Sequence, residues 1–140
     1  MNINVYGLGF VGLTTALALA DKKIKVFGYE NDVNKINKIK NGIMPFYEQN
    51  LDKILKKNLN KYFFLNKSKK KQKIDLNFVC VGTQAKKKSD FADTKILQKC
   101  IKEILNEKNE YQKKIIIIRS STPPMTTERL LLPLLKRSKT

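Results

Sequence analysis

Six residues near the start of the chain, Gly7-Leu8-Gly9-Phe10-Val11-Gly12, follow the spacing G-x-G-x-x-G. Glycines at these intervals suit a backbone that turns sharply out of a strand and then lets a phosphate come close. Gly7 permits the turn, Gly9 removes a Cβ from the approach path, and Gly12 lets the following helix pack near the sheet. The first turn of that helix offers unpaired N–H groups and the positive end of its dipole to a pyrophosphate. Glu30 stands 18 positions after Gly12. A carboxylate there is suited to accept hydrogen bonds from the hydroxyls of an adenosine ribose, and its charge repels a 2′-phosphate, so the pattern favours NAD over NADP. The spacing alone is a weak signal. Its force depends on a strand before it and a helix after it, and the bland alternative is a glycine-rich turn that binds something else or nothing.

Other chemistries are excluded by composition. The 140 residues include no His, which removes His-based metal sites and Ser-His-Asp triads. Two cysteines, Cys80 and Cys100, cannot build the disulfide framework of a small secreted fold. No metal site is expected. The longest apolar runs fall far short of the roughly 20 residues that span a bilayer, and the N-terminus lacks a basic signal-peptide region, so a soluble, cytoplasmic chain without membrane contact is expected.

The elements that must position the glycines can be read from apolar spacing. Ile3, Val5 and Tyr6 form a strand that stops at Gly7, and Gly12 to Ala20 is rich in small residues and good helix formers. Ile24, Val26 and Phe27 form a second strand. Asp32 or Asn31 caps a helix carrying Val33, Ile36 and Ile39, closed by Asn41-Gly42. A loop with Pro45 leads to a short helix with Leu51, Ile54 and Leu55. Tyr62–Leu65 and Ile74–Val81 are further strands, and Asp93 or Thr94 caps a helix from Ile96 to Leu105. The unbroken run Ile115–Ile118 predicts a strand buried on both faces. After Pro123-Pro124 comes a final helix from about Thr126, which Pro133 should kink or shorten. The order β-α-β-α-α-β-β-α-β-α predicts a doubly wound α/β domain, a Rossmann-type parallel sheet, with residues 1–140 as one domain.

The formal charge is +17, from 29 Lys+Arg against 12 Asp+Glu. Such a balance raises the alternative of a basic α/β module that binds nucleic acid through lysine-rich loops. Lys67, Lys69, Lys70, Lys71 and Lys73 form one dense run, and Lys86, Lys87 and Lys88 a second. Only Arg119, Arg129 and Arg137 are arginines, and Arg is the better reader of phosphates and bases. The lysines are otherwise scattered among Asn and Ile, so solvated loops are favoured over a nucleic-acid site. A stand-alone cofactor sensor is a third reading that nothing positive supports.

Several ordered motifs resemble the NAD-binding domain of the UDP-glucose/GDP-mannose dehydrogenases, a resemblance that covers essentially the whole chain. Gly7 to Leu13 is similar to the family's opening loop, in which a pair such as Phe10-Val11 follows the second glycine. Gly28-Tyr29-Glu30-Asn31-Asp32 with Lys35 resembles the end of its second strand, where Asp usually takes the place of Glu30. Gly42 followed by Pro45-Phe46-Tyr47-Glu48 and Leu51 is similar to its P-x-x-E-x-x-L segment, the most family-specific feature. Val79-Cys80-Val81-Gly82-Thr83 resembles the fourth strand and a Thr that lies along the cofactor, with Gln84 where Pro is usual. Ser120-Ser121-Thr122-Pro123-Pro124-Met125-Thr126-Thr127 resembles S-T-V-P-P-G-T-T. There Ser121 stands where a Thr hydroxyl supports the reactive end of the site, and Met125 replaces a glycine.

The resemblance implies a cofactor site of Gly7, Gly9, Phe10, Val11, Gly12, Glu30, Lys35, Thr83 and Ser121, with Ser121 in a supporting catalytic role. It implies oxidation of a nucleotide-sugar C6 hydroxyl to a carboxylate with two NAD and no metal, most like UDP-glucose 6-dehydrogenase, in polysaccharide biosynthesis. It also implies a catalytic Cys in a later region, assisted by a Lys there, and nothing maps that Cys onto Cys80 or Cys100. The expectation is therefore an N-terminal piece of a longer, homodimeric enzyme, cut before the sixth strand. It should meet the nucleotide sugar only through domains beyond it and should be inactive by itself.

Overall fold

The computed structural model describes residues 1–66, 73–83, 93–107 and 114–137. The lysines at 67, 69, 70, 71 and 86–88, as well as Gln84, lie outside the described residues.

In β1 (Asn2–Tyr6), Ile3 and Val5 point to one side and Asn4 and Tyr6 to the other, and all four are buried. A strand buried on both faces belongs in the middle of a sheet. β1 lies third in the order β3-β2-β1-β4-β5, with β2 at Lys25–Tyr29, β3 at Phe63–Leu65, β4 at Leu76–Val79 and β5 at Ile116–Ile118. All four pairings are parallel. The chain winds outward from β1 to β3 and then crosses back to β4, so its direction reverses between β1 and β4. The helices are α1 (Phe10–Asp21), α2 (Val33–Lys40), α3 (Leu51–Asn58), α4 (Lys95–Asn106) and α5 (Leu132–Arg137). The expected element order and the Rossmann-like doubly wound sheet are both observed.

α1 buries Gly12, Leu13, Ala16, Leu17 and Ala20 along one stripe, and the small members of that stripe let it lie close to the strands. Asp32 starts α2, its carboxylate accepting the N–H groups of Asn34 and Lys35 at 2.9 and 3.1 Å. α2 ends where Gly42 adopts φ +70°, the Gly42 N–H bonding Ile39 O and the Ile43 N–H bonding Lys38 O. That paired closure needs a residue tolerant of the left-handed region. At the start of α4, Asp93 rather than Thr94 accepts the Lys95 N–H. At its end, the Lys114 ammonium donates to the carbonyls of Ile104, Leu105 and Glu107 at 2.7, 3.0 and 2.6 Å. A cation on these unpaired carbonyls also opposes the negative end of the helix dipole.

Three expectations change. β4 is shorter than Ile74–Val81, because only Leu76–Val79 stay in register, although the Cys80 N–H still reaches Tyr6 O at 2.8 Å. β5 is not buried on both faces: its residues are half-buried and Ile115 is 53% exposed. It sits at the sheet edge, where Ile116 and Ile118 pack against the cluster of α4 and Leu131. Pro133 produces a π-helical turn over Thr127–Leu131 rather than a simple kink. Proline has no N–H, and its ring collides with the carbonyl four residues back. The turn widens, with the Leu132 N–H reaching Thr127 O, and α5 continues beyond it.

The core divides by face. Ile3, Val5, Val26 and Phe63 pack against α1, α3 and Ile39 of α2. Tyr6 and Val79 pack on the other face against α4 and Leu131. A polar pair lies on this second face: the Asn4 side-chain NH₂ donates to Asn77 Oδ1 at 3.0 Å and to the Tyr6 hydroxyl at 3.2 Å. No described helix is long and apolar enough to cross a membrane.

Candidate cofactor-binding cleft

A cleft of about 650 Å³ opens at the carboxyl ends of β1, β2 and β4, beside the point where the strand order reverses. Such crevices are the usual ligand sites of open α/β sheets. Gly7 and Gly9 lie on its wall. Gly7 has φ +84°, and its N–H bonds Tyr29 O at 2.8 Å, which ties the loop to β2. A Cβ on Gly7 would come within 2.9 Å of the Cys80–Val81 backbone, and one on Gly12 within 1.8 Å of Gly7 O. A Cβ on Gly9 would meet nothing within 4 Å among the described residues. Two glycines are thus required by the protein's own backbone, whereas Gly9 leaves space that no described residue fills.

That space faces the start of α1. Gly9 is the cap residue, no side chain caps the helix, and the first turn carries no acidic residue. The Leu13 N–H is bonded to Gly9 O at 2.9 Å, so the donors that precede it in the first turn have no partner within the helix. Phe10 and Val11 supply backbone here, and their side chains are exposed and do not line the cleft. The Phe10 ring packs 5.1 Å from Phe46, so the segment around Pro45 braces the helix start.

Glu30 closes the cleft at the end of β2. The sequence suggests a carboxylate suited to ribose hydroxyls, and here Glu30 already accepts three backbone N–H groups. Leu8 reaches Oε2 at 3.0 Å, and Asn31 and Asp32 reach Oε1 at 2.8 and 3.1 Å. The Lys35 ammonium stands 3.7 Å from Oε2. A carboxylate has about four acceptor positions, so one more donor can be taken. Gly7, Gly9, Glu30 and Lys35 therefore share one cleft. Thr83 and Ser121 meet beside it: the Thr83 hydroxyl donates to Ser121 O, and neighbouring Gly82 lines the cleft. The Ser120 hydroxyl donates to Val81 O at 2.6 Å, which makes a second tie between the chain after β4 and the chain after β5.

Sequence reasoning missed the far wall. Ile96, Lys99, Cys100, Glu103 and Glu107 of the α4 segment line the cleft, as does Asn66. Residues of the α4 polar stripe carry no local mark of a site, since Lys99 and Glu103 form an ordinary i,i+4 pair. Tyr6 and Tyr29, opposite each other in register, stack on the floor at 5.1 Å. Burial pushes both phenols well above their usual range, with the Glu107 charge adding to it. Burial also pushes the Cys80 thiol up, against an opposing pull from Arg119. No cluster among the described residues could hold a metal ion.

Comparison with known proteins agrees with this geometry. The model of the UDP-glucose/GDP-mannose dehydrogenase family, NAD binding domain, matches residues 1–140. An uncharacterized protein of Methanocaldococcus jannaschii is 37% identical over 93% of this chain and 14% of its own length. GDP-mannose 6-dehydrogenase of Pseudomonas syringae pv. tomato is 32% identical over 97% of this chain and 32% of its own. The solved UDP-D-ManNAc dehydrogenase of Pyrococcus horikoshii superimposes with a TM-score of 0.84 at 28% identity, again over 97% of this chain and 32% of that one. Other relatives are named for UDP-N-acetyl-D-mannosamine and UDP-glucose. The chain thus spans a third or less of the relatives it matches, and over that span it belongs to the UDP-glucose/GDP-mannose dehydrogenase family as its NAD-binding domain.

Proposed function

We propose that this chain holds NAD for a nucleotide-sugar 6-dehydrogenase, with UDP-glucose as the first substrate to test. The observation that supports it most is the unfilled space over Gly9, at the uncapped start of α1 and inside a cleft that Glu30 closes. The N–H groups of the Phe10–Gly12 turn bind the pyrophosphate, and the absence of a Cβ at Gly9 lets it approach. Glu30 takes a ribose hydroxyl with its remaining acceptor position, while Lys35 balances its charge. Thr83 and Ser121 hold the edge of the site near the reactive end. Bound NAD supplies a hydride acceptor for the sugar alcohol.

This chain's residues bind and orient; Cys80 and Cys100 both line the cleft, but neither has the surroundings of a nucleophile. Cys100 is buried, and the raised Cys80 thiol disfavours the thiolate that a nucleophile needs. The proposal therefore expects NAD binding without NADH formation from UDP-glucose by the chain itself. Calorimetric titration tests it. Saturable NAD binding is expected, with weaker NADP binding and at least about a tenfold loss of NAD affinity in Gly9→Val. Equal binding by Gly9→Val, or none by a folded sample, overturns the reading.

A further inference from the structure

We propose that Asn66 is a positioning residue that sets Glu30 for the adenosine ribose. The inference rests on the reading of Glu30 given above and adds a residue that contributes through it. Asn66 follows β3 directly and has φ +46°, a left-handed conformation that Asn tolerates better than most residues. Its N–H bonds Gly28 O at 2.8 Å, and this is the end of the β2–β3 ladder. Beyond that point the side chain takes over from the backbone. Asn66 Oδ1 accepts the Glu30 N–H at 3.0 Å, and Asn66 Nδ2 donates to Glu30 O at 3.0 Å. The amide thus imitates one more strand residue and carries the pairing as far as Glu30.

Glu30 is consequently held at both ends. Asn66 fixes its backbone from the β3 side, and the N–H groups of Leu8, Asn31 and Asp32 fix its carboxylate from the glycine loop and the start of α2. Both Asn66 and Glu30 line the cleft. A glutamate has three side-chain torsions and can waste affinity by wandering; one already oriented needs only to receive the hydroxyl. Because the Asn66 bonds are exposed to water, their loss should be felt more in ligand affinity than in folding.

The test compares NAD with its 2′-deoxyadenosine analogue, which lacks the adenosine 2′-hydroxyl, by calorimetry on the full chain and two variants. Asn66→Gly keeps the left-handed backbone and removes the clamp. Asn66→Asp keeps the shape but cannot donate to Glu30 O. The unaltered chain should prefer NAD by about tenfold. Both variants should lose about that factor for NAD and little for the analogue, so that the preference collapses while the melting temperature stays within a few degrees. A variant that keeps the preference, or loses affinity for both cofactors equally, overturns the proposal. Loss of fold in both variants makes Asn66 structural and also overturns it. If the unaltered chain binds the two cofactors equally, the Glu30 reading itself fails and takes this inference with it.

Discussion

The two faces of the sheet are packed on different principles. On one face, α1 brings Gly12, Ala16 and Ala20 against the strands, with Leu13 and Leu17 filling the space between, all buried. On the other face, α4 stands off on the larger Leu97, Ile101, Ile104 and Leu105, over a sheet surface that includes Asn4, Asn77 and two stacked tyrosines. The cleft opens on this second side, with Ile96, Lys99 and Glu103 as its far wall. Small residues permit contact at backbone distance, and that contact holds the glycine loop still. Large residues keep the helix away and leave room for a ligand. A site of this kind needs both, a rigid edge to aim donors and an open edge to admit what they bind.

The largest effects should separate the faces. Leu17→Ala removes a side chain from a closely packed layer with little freedom to collapse, and should cost about 4 kcal/mol. Ile104→Ala, equally buried but on the layer that borders the cleft, should cost about 2 kcal/mol because its surroundings can relax. Urea denaturation of both variants measures the difference. Equal losses would mean that the two layers are equally stiff. Next in size is Gly12→Val, whose Cβ collides with Gly7 O. Overpacking against backbone should cost about 3 kcal/mol. Gly9→Val adds the same side chain three residues earlier in open space, and should cost under about 1 kcal/mol while losing NAD. If Gly9→Val were as destabilising as Gly12→Val, the space over Gly9 would belong to the protein and not to a ligand.

Much of this was legible in the sequence because it is local. The glycine spacing, the Asp32 cap, the Asn41-Gly42 ending and the succession of strands and helices along the chain depend on residues a few positions apart. What was not legible depends on contacts that the topology creates. Glu30 accepts from Leu8 across 22 positions and pairs with Asn66 across 36, so nothing near Glu30 announces that the glycine loop occupies its Oε2 or that Asn66 holds its backbone. The Lys114 clamp on α4 needs the chain to return alongside the helix end before any of its bonds exist. The run Ile115–Ile118 shows where its own apolar mark misleads. Four β-branched residues signal a strand, but burial depends on what lies beside it, and β5 is the edge.

Met125 offers the smallest and most specific test, because there a sequence pattern and a backbone angle meet. It stands where the resembling motif carries glycine, and it has φ +65°, the left-handed region that a side chain disfavours. Its carbonyl accepts the Arg129 N–H at 2.9 Å, so the angle is tied into the start of the π turn. Half the residue is exposed, so little packing is lost with the side chain. Met125→Gly should relieve about 1 kcal/mol of strain and return part of it as extra freedom of the unfolded chain. The net gain should be about 0.5 kcal/mol, a rise of about 1–3 °C in melting temperature. Met125→Ala keeps the strain, loses the same contacts and should show no gain. The order of the two variants carries the argument. If alanine proves as stable as glycine, the angle is not strained and the motif's glycine serves some other purpose. If glycine alone gains, Met125 is a strain that the half-exposed site tolerates.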